Sequence, residues 1–209
     1  MLPDGVVIHP IDGEKRLCTE GESVYGEPHD DGYRVWDRSR SKVAAVLAQG
    51  IDTGLAANDT ILYLGAASGT TVSHVADFAG PTYAVEFAPG PMRELVALAQ
   101  TRPNIIPLLK NVKRPKTYAH VVESNVDCII QDVATTKQAK AACDNAQFLS
   151  PDGNLILSLK ARSEDVTADP HSVYDAARNQ LREVYQIQHE ASLEPDHQDH
   201  HVFIATLQS

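Results

Sequence analysis

The chain has few cysteines, no long apolar run and few bases for its acids, and each shortage excludes something. Cys18, Cys128 and Cys143 are odd in number, far apart and never spaced Cys-x-x-Cys. That argues against a disulfide frame and a zinc knuckle, and for reduced thiols in a cytosolic protein. No run approaches the ~18 apolar residues that suggest a membrane-spanning helix. The first five residues, Met1 to Gly5, lack a basic stretch leading into an apolar one, so no secretory signal is expected and the expected location is cytoplasmic. Repeats, low-complexity tracts and flexible linkers are also missing. What remains, 209 residues with 43% apolar content, suits one medium domain or one domain with a small appendage.

The shortage of bases gives a net charge of −10, unevenly spread. Residues 1–31 hold eight acids and two bases, and residues 164–209 hold nine acids and two bases. The middle, 32–163, holds fourteen bases and eleven acids. An acidic surface repels phosphate, so a polyanion would have to approach the basic centre or be held there by a partner. Solubility alone, or a salt-rich interior, also accounts for the acid excess.

Residues 1–36 read as strands over 5–9, 15–19 and 33–36, with turns at Ile11-Asp-Gly13 and Asp30-Asp-Gly32. They carry too little apolar surface to stand alone and are expected to pack on the remainder of the chain. Asp37 suits the cap of a helix over 38–49 that stops at Gly50. Strands then alternate with helices. Strands are expected over 60–64, 82–87, 104–109, 126–131 and 154–159. Helices are expected over 70–78, 89–100, 115–122, 136–149 and 170–184. Strands over 185–193 and 201–207 have no helix between them, so the last runs antiparallel to its neighbour. The expected fold class is α/β: a Rossmann-like seven-stranded sheet of the S-adenosylmethionine-dependent methyltransferase type, with a small N-terminal β-rich module. The division expected is 1–54 for the module with its connecting helix and 55–209 for the methyltransferase domain.

Chemistry in such a sheet gathers at the carboxyl ends of the strands. The first parallel strand, Ile61-Leu-Tyr-Leu64, breaks into Gly65, Ala66, Ala67, Ser68 and Gly69, followed by Thr70 and Thr71 at a helix start. A tight small-residue loop lets backbone approach a nucleotide at a helix N-terminus. The loop lacks Gly-x-Gly-x-x-Gly spacing, and its small residues suit the methionine arm of S-adenosylmethionine better than a pyrophosphate. The second strand ends in Glu86, placed to accept ribose hydroxyls, and Phe87, either an adenine platform or core. Asp132 and Lys160 close two neighbouring apolar strands, either as a paired reactive site or as a tolerated ion pair. The bases Lys110, Lys113, Arg114 and Lys116 either meet RNA phosphates or form a solvated loop. The cluster Asp196, His197, Asp199, His200 and His201 lacks metal-ligand spacing, so no metal is expected, and one of its histidines can instead join Asp132 and Lys160.

Taken together, these stretches resemble the fibrillarin family in its short archaeal form. The stretches that carry the resemblance include Gly21-Glu-Ser-Val-Tyr-Gly26, Tyr33-Arg-Val-Trp36, Tyr63-Leu-Gly-Ala-Ala-Ser-Gly-Thr-Thr71, Ala84-Val-Glu-Phe87, Gln131-Asp-Val-Ala134, Gln138-Ala139 and Lys160-Ala-Arg-Ser163. The resemblance spans nearly the whole chain. It implies an RNA 2′-O-methyltransferase that uses S-adenosylmethionine on rRNA and possibly tRNA inside a box C/D guide ribonucleoprotein. The implied partners are a Nop-domain scaffold protein, a kink-turn-binding ribosomal-protein homologue, the guide RNA and the substrate RNA, with no membrane. By the same resemblance the catalytic set falls on Lys42, Asp132, Lys160 and His200. The cofactor set falls on Gly65, Ala66, Thr70, Thr71, Glu86, Phe87, Asn111, Val112, Asp132, Val133, Ala134 and Thr135. The family usually has Asp where Asn111 stands and often Gln where Thr135 stands, so weaker or retuned cofactor binding is expected. A non-catalytic subunit of the particle with a relic site, or a small-molecule methyltransferase, are the alternatives.

Overall fold

The computed structural model describes residues 1–122 and 125–208. The chain opens with β1 (Val6–Ile11), β2 (Glu14–Glu20), β3 (His29–Asp30) and β4 (Tyr33–Val35), a four-stranded sheet in the order β1-β2-β4-β3. Asp12-Gly13 and Asp31-Gly32 make the two tight turns, all four with positive φ, as the twist of a hairpin demands. Next in the chain is helix α1 (Lys42–Ala48). It starts later than the expected 38–49. Ser41 caps it by accepting from the Ala44 N–H, while Asp37 folds back on the Ser39 N–H in a local turn.

The remaining elements are β5 (Ile61–Leu64), α2 (Thr70–Val75), β6 (Thr82–Glu86), α3 (Pro89–Thr101), β7 (Ile105–Leu109), a 3-10 turn at Pro115–Thr117, β8 (Val126–Asp132), α4 (Gln138–Asn145), a second 3-10 turn at Ala146–Phe148, β9 (Leu149–Lys160), α5 (Ala161–Glu164), α6 (Pro170–Leu181), β10 (Tyr185–Ser192) and β11 (His200–Leu207). The expected helix over 115–122 is only one 3-10 turn. The helix expected over 136–149 yields its end to β9, which begins five residues earlier than the expected 154. Pro151-Asp-Gly153, left between the expected helix and strand, lies in a strand whose register against β8 shifts between Val126 and Cys128. Ser209 lies outside the described residues.

Seven strands order as β10-β11-β9-β8-β5-β6-β7. β11 runs antiparallel to both β10 and β9, as the short connection requires, and the other pairs are parallel. The period of two sorts side chains into two layers. Ile61, Tyr63, Cys128, Ile130, Ile156, Val202 and Ile204 share one core with Val43, Val46 and Leu47 of α1 and with Val6, Leu17 and Trp36 of the small sheet. Leu62, Leu64, Ile129, Leu155, Leu157 and Phe203 face the opposite core. The small sheet therefore packs on the large one through a common core. Asp132, Lys160 and His200 continue the first alternation at the strand ends, on the side that α1 covers.

Among the described residues, no helix is long and apolar enough to cross a membrane.

Candidate active site

The loop after β5 is held from three sides. Gly65 and Ala66 donate from their N–H groups to the Val85 carbonyl at 2.9 and 3.0 Å. The Ala67 N–H donates to Glu86 Oε2 at 2.8 Å, and Tyr25 O–H donates to the Ser68 carbonyl at 2.5 Å. Gly65 has φ +90°, and a Cβ there would stand 2.1 Å from the Asp132 carbonyl oxygen. Only glycine lets β5 and β8 approach at this point.

A cavity of about 520 Å³ lies at the carboxyl ends of β5, β6 and β8. It is lined by Lys42, Gly65, Glu86 and Phe87 together with Asn111, Val112, Asp132, Val133, Ala134 and Thr135. Ten of the sequence-derived site residues are thus brought together. Ala67, Val85 and Lys113 also line it and were not in the catalytic or cofactor sets derived from sequence, where Lys113 stood only among the bases that could meet RNA phosphates. Ala67 sits inside the small-residue loop and Lys113 two positions beyond Asn111, so proximity in sequence is the signal for both.

Ala66, Thr70, Thr71, Lys160 and His200 do not line the cavity. Ala66 is buried, and Thr71 Oγ1 donates to Ser41 Oγ at 3.1 Å, joining the starts of α2 and α1. Phe87 is 69% exposed, which excludes the core alternative for this ring. Glu86 also accepts from the Ala88 N–H at 2.6 Å, so both its oxygens shape the rim while keeping free lone pairs. The Asn111 side-chain oxygen accepts from the Lys113 N–H at 2.9 Å. It retains a second lone pair and two amide protons for a ligand.

At the inner end, Lys42 Nζ lies 2.8 Å from Asp132 Oδ2, both side chains three-quarters covered. Asp132 therefore pairs with Lys42, not with Lys160. The β8–β9 register explains why: Asp132 stands beside Ser158, two residues short of Lys160. Lys160 is instead the cross-strand partner of His200. The His200 ring is nearly covered, and its Nδ1 lies 2.7 Å from the Gln198 carbonyl. A carbonyl only accepts, so Nδ1 carries the proton and Nε2 keeps a lone pair. Burial lowers the His200 pKa from its ordinary value. The Lys42 charge adds to this, while the Gln198 bond and Asp132 oppose it. The ring is a neutral proton acceptor at neutral pH. Beneath the site, burial and then the Asp132 charge push the Tyr63 phenol far up, so it stays protonated.

Of the other histidines in the cluster over 196–201, His201 lies 3.2 Å from Glu190, and His197 Nε2 lies 2.8 Å from the Arg38 carbonyl with its ring 5.7 Å from that of His200. Among the described residues no group of three or more His, Cys, Asp or Glu side chains is arranged to hold a metal.

The fibrillarin family model matches residues 4–209. A fibrillarin-like rRNA/tRNA 2′-O-methyltransferase of Haloquadratum walsbyi is 58% identical over 206 residues, 98% of this chain and 96% of the relative. Its counterpart in Methanoculleus marisnigri is 47% identical, covering 91% and 95%. Among solved structures, the fibrillarin of a fibrillarin/Nop5p complex superposes with TM-score 0.91 at 37% identity, covering 99% of each chain. Aeropyrum pernix fibrillarin with natively bound S-adenosyl-L-methionine gives 0.83 at 39%, covering 96% and 92%.

Proposed function

The chain belongs to the fibrillarin family, and we propose that it methylates the ribose 2′-hydroxyl of rRNA and tRNA, taking the methyl from S-adenosylmethionine inside a box C/D guide ribonucleoprotein. The observation that carries this reading is the juxtaposition of a nucleoside-sized cavity with a covered Lys42–Asp132 pair in its wall, whose charges act on the nearly buried His200.

The residues fit the methyl donor. The cavity's volume is in the range of small-molecule sites. The absent Cβ of Gly65 lets the end of β8, with Asp132, close against the loop, the exposed Phe87 face suits an adenine, and Glu86 suits vicinal hydroxyls. When bound, S-adenosylmethionine supplies a methyl group already activated on a sulfonium, which leaves positioning and proton removal to the protein. His200 Nε2 takes the proton of the attacking 2′-hydroxyl. Lys42 and Lys160 place positive charge beside the oxygen as it becomes nucleophilic, and Asp132 aims Lys42.

A chain of net charge −10 is a poor RNA binder by itself. Guide RNA, a Nop-domain scaffold and a kink-turn-binding ribosomal-protein homologue would deliver the target, and the cytoplasm is the compartment this assembly implies. The relative solved with Nop5p supports the scaffold. Reconstitution with labelled S-adenosylmethionine tests the whole reading. Methyl incorporation at the guide-selected ribose is expected only with guide and scaffold present. Equal incorporation by the isolated chain, or none by the complete particle, would overturn it.

A further inference from the structure

We propose that Gln138 is a positioning residue for methyl transfer: its buried side-chain amide stands in for a missing strand neighbour and fixes Lys160 opposite His200. The proposal rests on the reading of Lys160 as part of the reactive set.

β8 ends its ladder with β9 at the Asp132–Ser158 pair. Beyond it, the backbone of Lys160 has no strand on that side. Gln138, fully buried at the start of α4, fills the place. Its Oε1 accepts from the Lys160 N–H at 3.0 Å, and its Nε2 donates to the Lys160 carbonyl at 3.0 Å. Two opposed bonds from one planar amide reproduce what a neighbouring strand offers.

The geometry has a consequence on the other side of β9. In an antiparallel pair, a residue whose N–H and C=O both point away from its partner belongs to a non-hydrogen-bonded pair, where the side chains stand closest. Lys160 points both groups at Gln138, so Lys160 and His200 form that closer pair. The flanking bond from the Ala161 N–H to the Asp199 carbonyl, 3.0 Å, has the phase this requires.

Gln138 is itself held in place. The N–H groups of Lys137 and Gln138 both donate to the Glu164 carboxylate, and Lys137 adopts the left-handed conformation at φ 62° that starts the helix. The Gln138 carbonyl accepts from Gln131 Nε2 at 2.8 Å, and Gln131 precedes Asp132 on β8. One buried residue thus ties the end of β8 to the end of β9, and so sets Asp132 and Lys160 relative to each other.

The test uses the assembled particle. Gln138→Met keeps length and removes both bonds. Its kcat is expected to fall about tenfold or more, with KM for target RNA and Kd for S-adenosylmethionine within about twofold. Wild-type kcat in the folded variant would overturn the proposal. Gln138→Glu decides if that variant does not fold. A protonated carboxyl can accept and donate as the amide does, whereas a carboxylate cannot donate to the Lys160 carbonyl. Its kcat is expected to decline with rising pH through an ionisation absent from the native profile, and a profile parallel to the native one would overturn the proposal. In the unaltered protein, a through-hydrogen-bond NMR coupling between the Lys160 amide nitrogen and the Gln138 side-chain carbonyl is expected, and its absence would also overturn it. Lys160→Ala in the same assay separates the two layers. Full activity there removes the reading of Lys160 itself, whereas an inactive Lys160→Ala with native Gln138 variants removes only the positioning role.

Discussion

Lys42 Nζ and Asp132 Oδ2 meet at 2.8 Å across the inner end of the cavity, one at the start of α1 and the other at the end of β8. The pair leaves Lys160 outside it, near His200. The two lysines should therefore respond differently to removal. Lys160→Ala is expected to lower methyl transfer by about 10²- to 10⁴-fold, the usual range for a group acting on the reacting proton or charge, with cofactor Kd little changed. Lys42→Ala is expected to show a comparable loss plus a weaker cofactor, because it lines the cavity and leaves Asp132 without its partner. Single-turnover methylation on reconstituted particles, with calorimetric cofactor binding, measures both. Native activity of Lys160→Ala would remove it from the mechanism.

The role proposed for His200 predicts a pH dependence of definite sign. Burial, reinforced by Lys42, holds its pKa below the ordinary 6.5, and only the neutral ring accepts a proton. The rate is expected to stay flat down to about pH 6.5 and to fall below it as Nε2 becomes protonated. His200→Ala is expected to lose the acid limb along with most of the rate. A limb centred above 6.5, or one that survives in the variant, would assign the proton to another group.

The parts of this site that obey one strand's own pattern were readable from sequence, and the parts that depend on crossings were not. An apolar run ending in Glu86 or Asp132 announces a charge at the carboxyl edge of a sheet, because little else tolerates that placement. The antiparallel last strand came from a connection too short for a crossover. The partner of Asp132 was not legible, since register against β9 and the approach of α1 decide it. The bond from the Thr71 hydroxyl to Ser41, which joins the starts of α2 and α1, was not legible in the loop sequence either. The burial of Gln138 was not legible either, since it comes from the place where β8 stops. Asp37 and Ser41 are both good caps, and only the path of the chain chooses between them.

Gly65→Ala tests the cradle. The new methyl would meet the Asp132 carbonyl at 2.1 Å and Val133 Cγ1 at 2.7 Å, on a backbone with φ +90°. The conformation alone costs roughly 1–2 kcal/mol for a residue with a Cβ, and relief of the overlap must move the strand end that carries Asp132. Cofactor Kd is expected to rise by about tenfold or more, since 1.4 kcal/mol is a factor of ten, together with a lowered melting temperature. Unchanged affinity would mean that β5 and β8 can separate here without disturbing the site.

The clamp between the small sheet and α2 predicts how the protein fails in acid. Arg34 is wholly buried, its guanidinium 2.8 Å from Asp77 and 3.5 Å from Glu27, and His74 bonds Thr19 while stacking on Trp36. Burial, with Arg34 beside it, lowers His74 from 6.5 to about 3. For Glu27, burial pushes the carboxyl up, but the N–H groups of Tyr25 and Val24 and the Ser23 hydroxyl outweigh it and bring the value from 4.5 to about 2. Both folded values lie below the unfolded ones, so the unfolded chain binds more protons and stability falls with falling pH. His74 contributes fully above 6.5 and its share is lost between 6.5 and about 3; Glu27 contributes fully above 4.5 and its share is lost between 4.5 and about 2. Melting temperature is expected to drop steadily from pH 7 to 4. Glu27→Gln should destabilise at pH 7 by on the order of 3 kcal/mol, because it removes a counter-charge from a buried guanidinium, and should flatten only the lower part of the curve. Because Tyr25 and Glu27 sit in the same turn, and Tyr25 holds the Ser68 carbonyl of the cofactor loop, that variant should also weaken S-adenosylmethionine binding. A Glu27→Gln protein with native cofactor affinity would show that the clamp stabilises the fold without setting the loop.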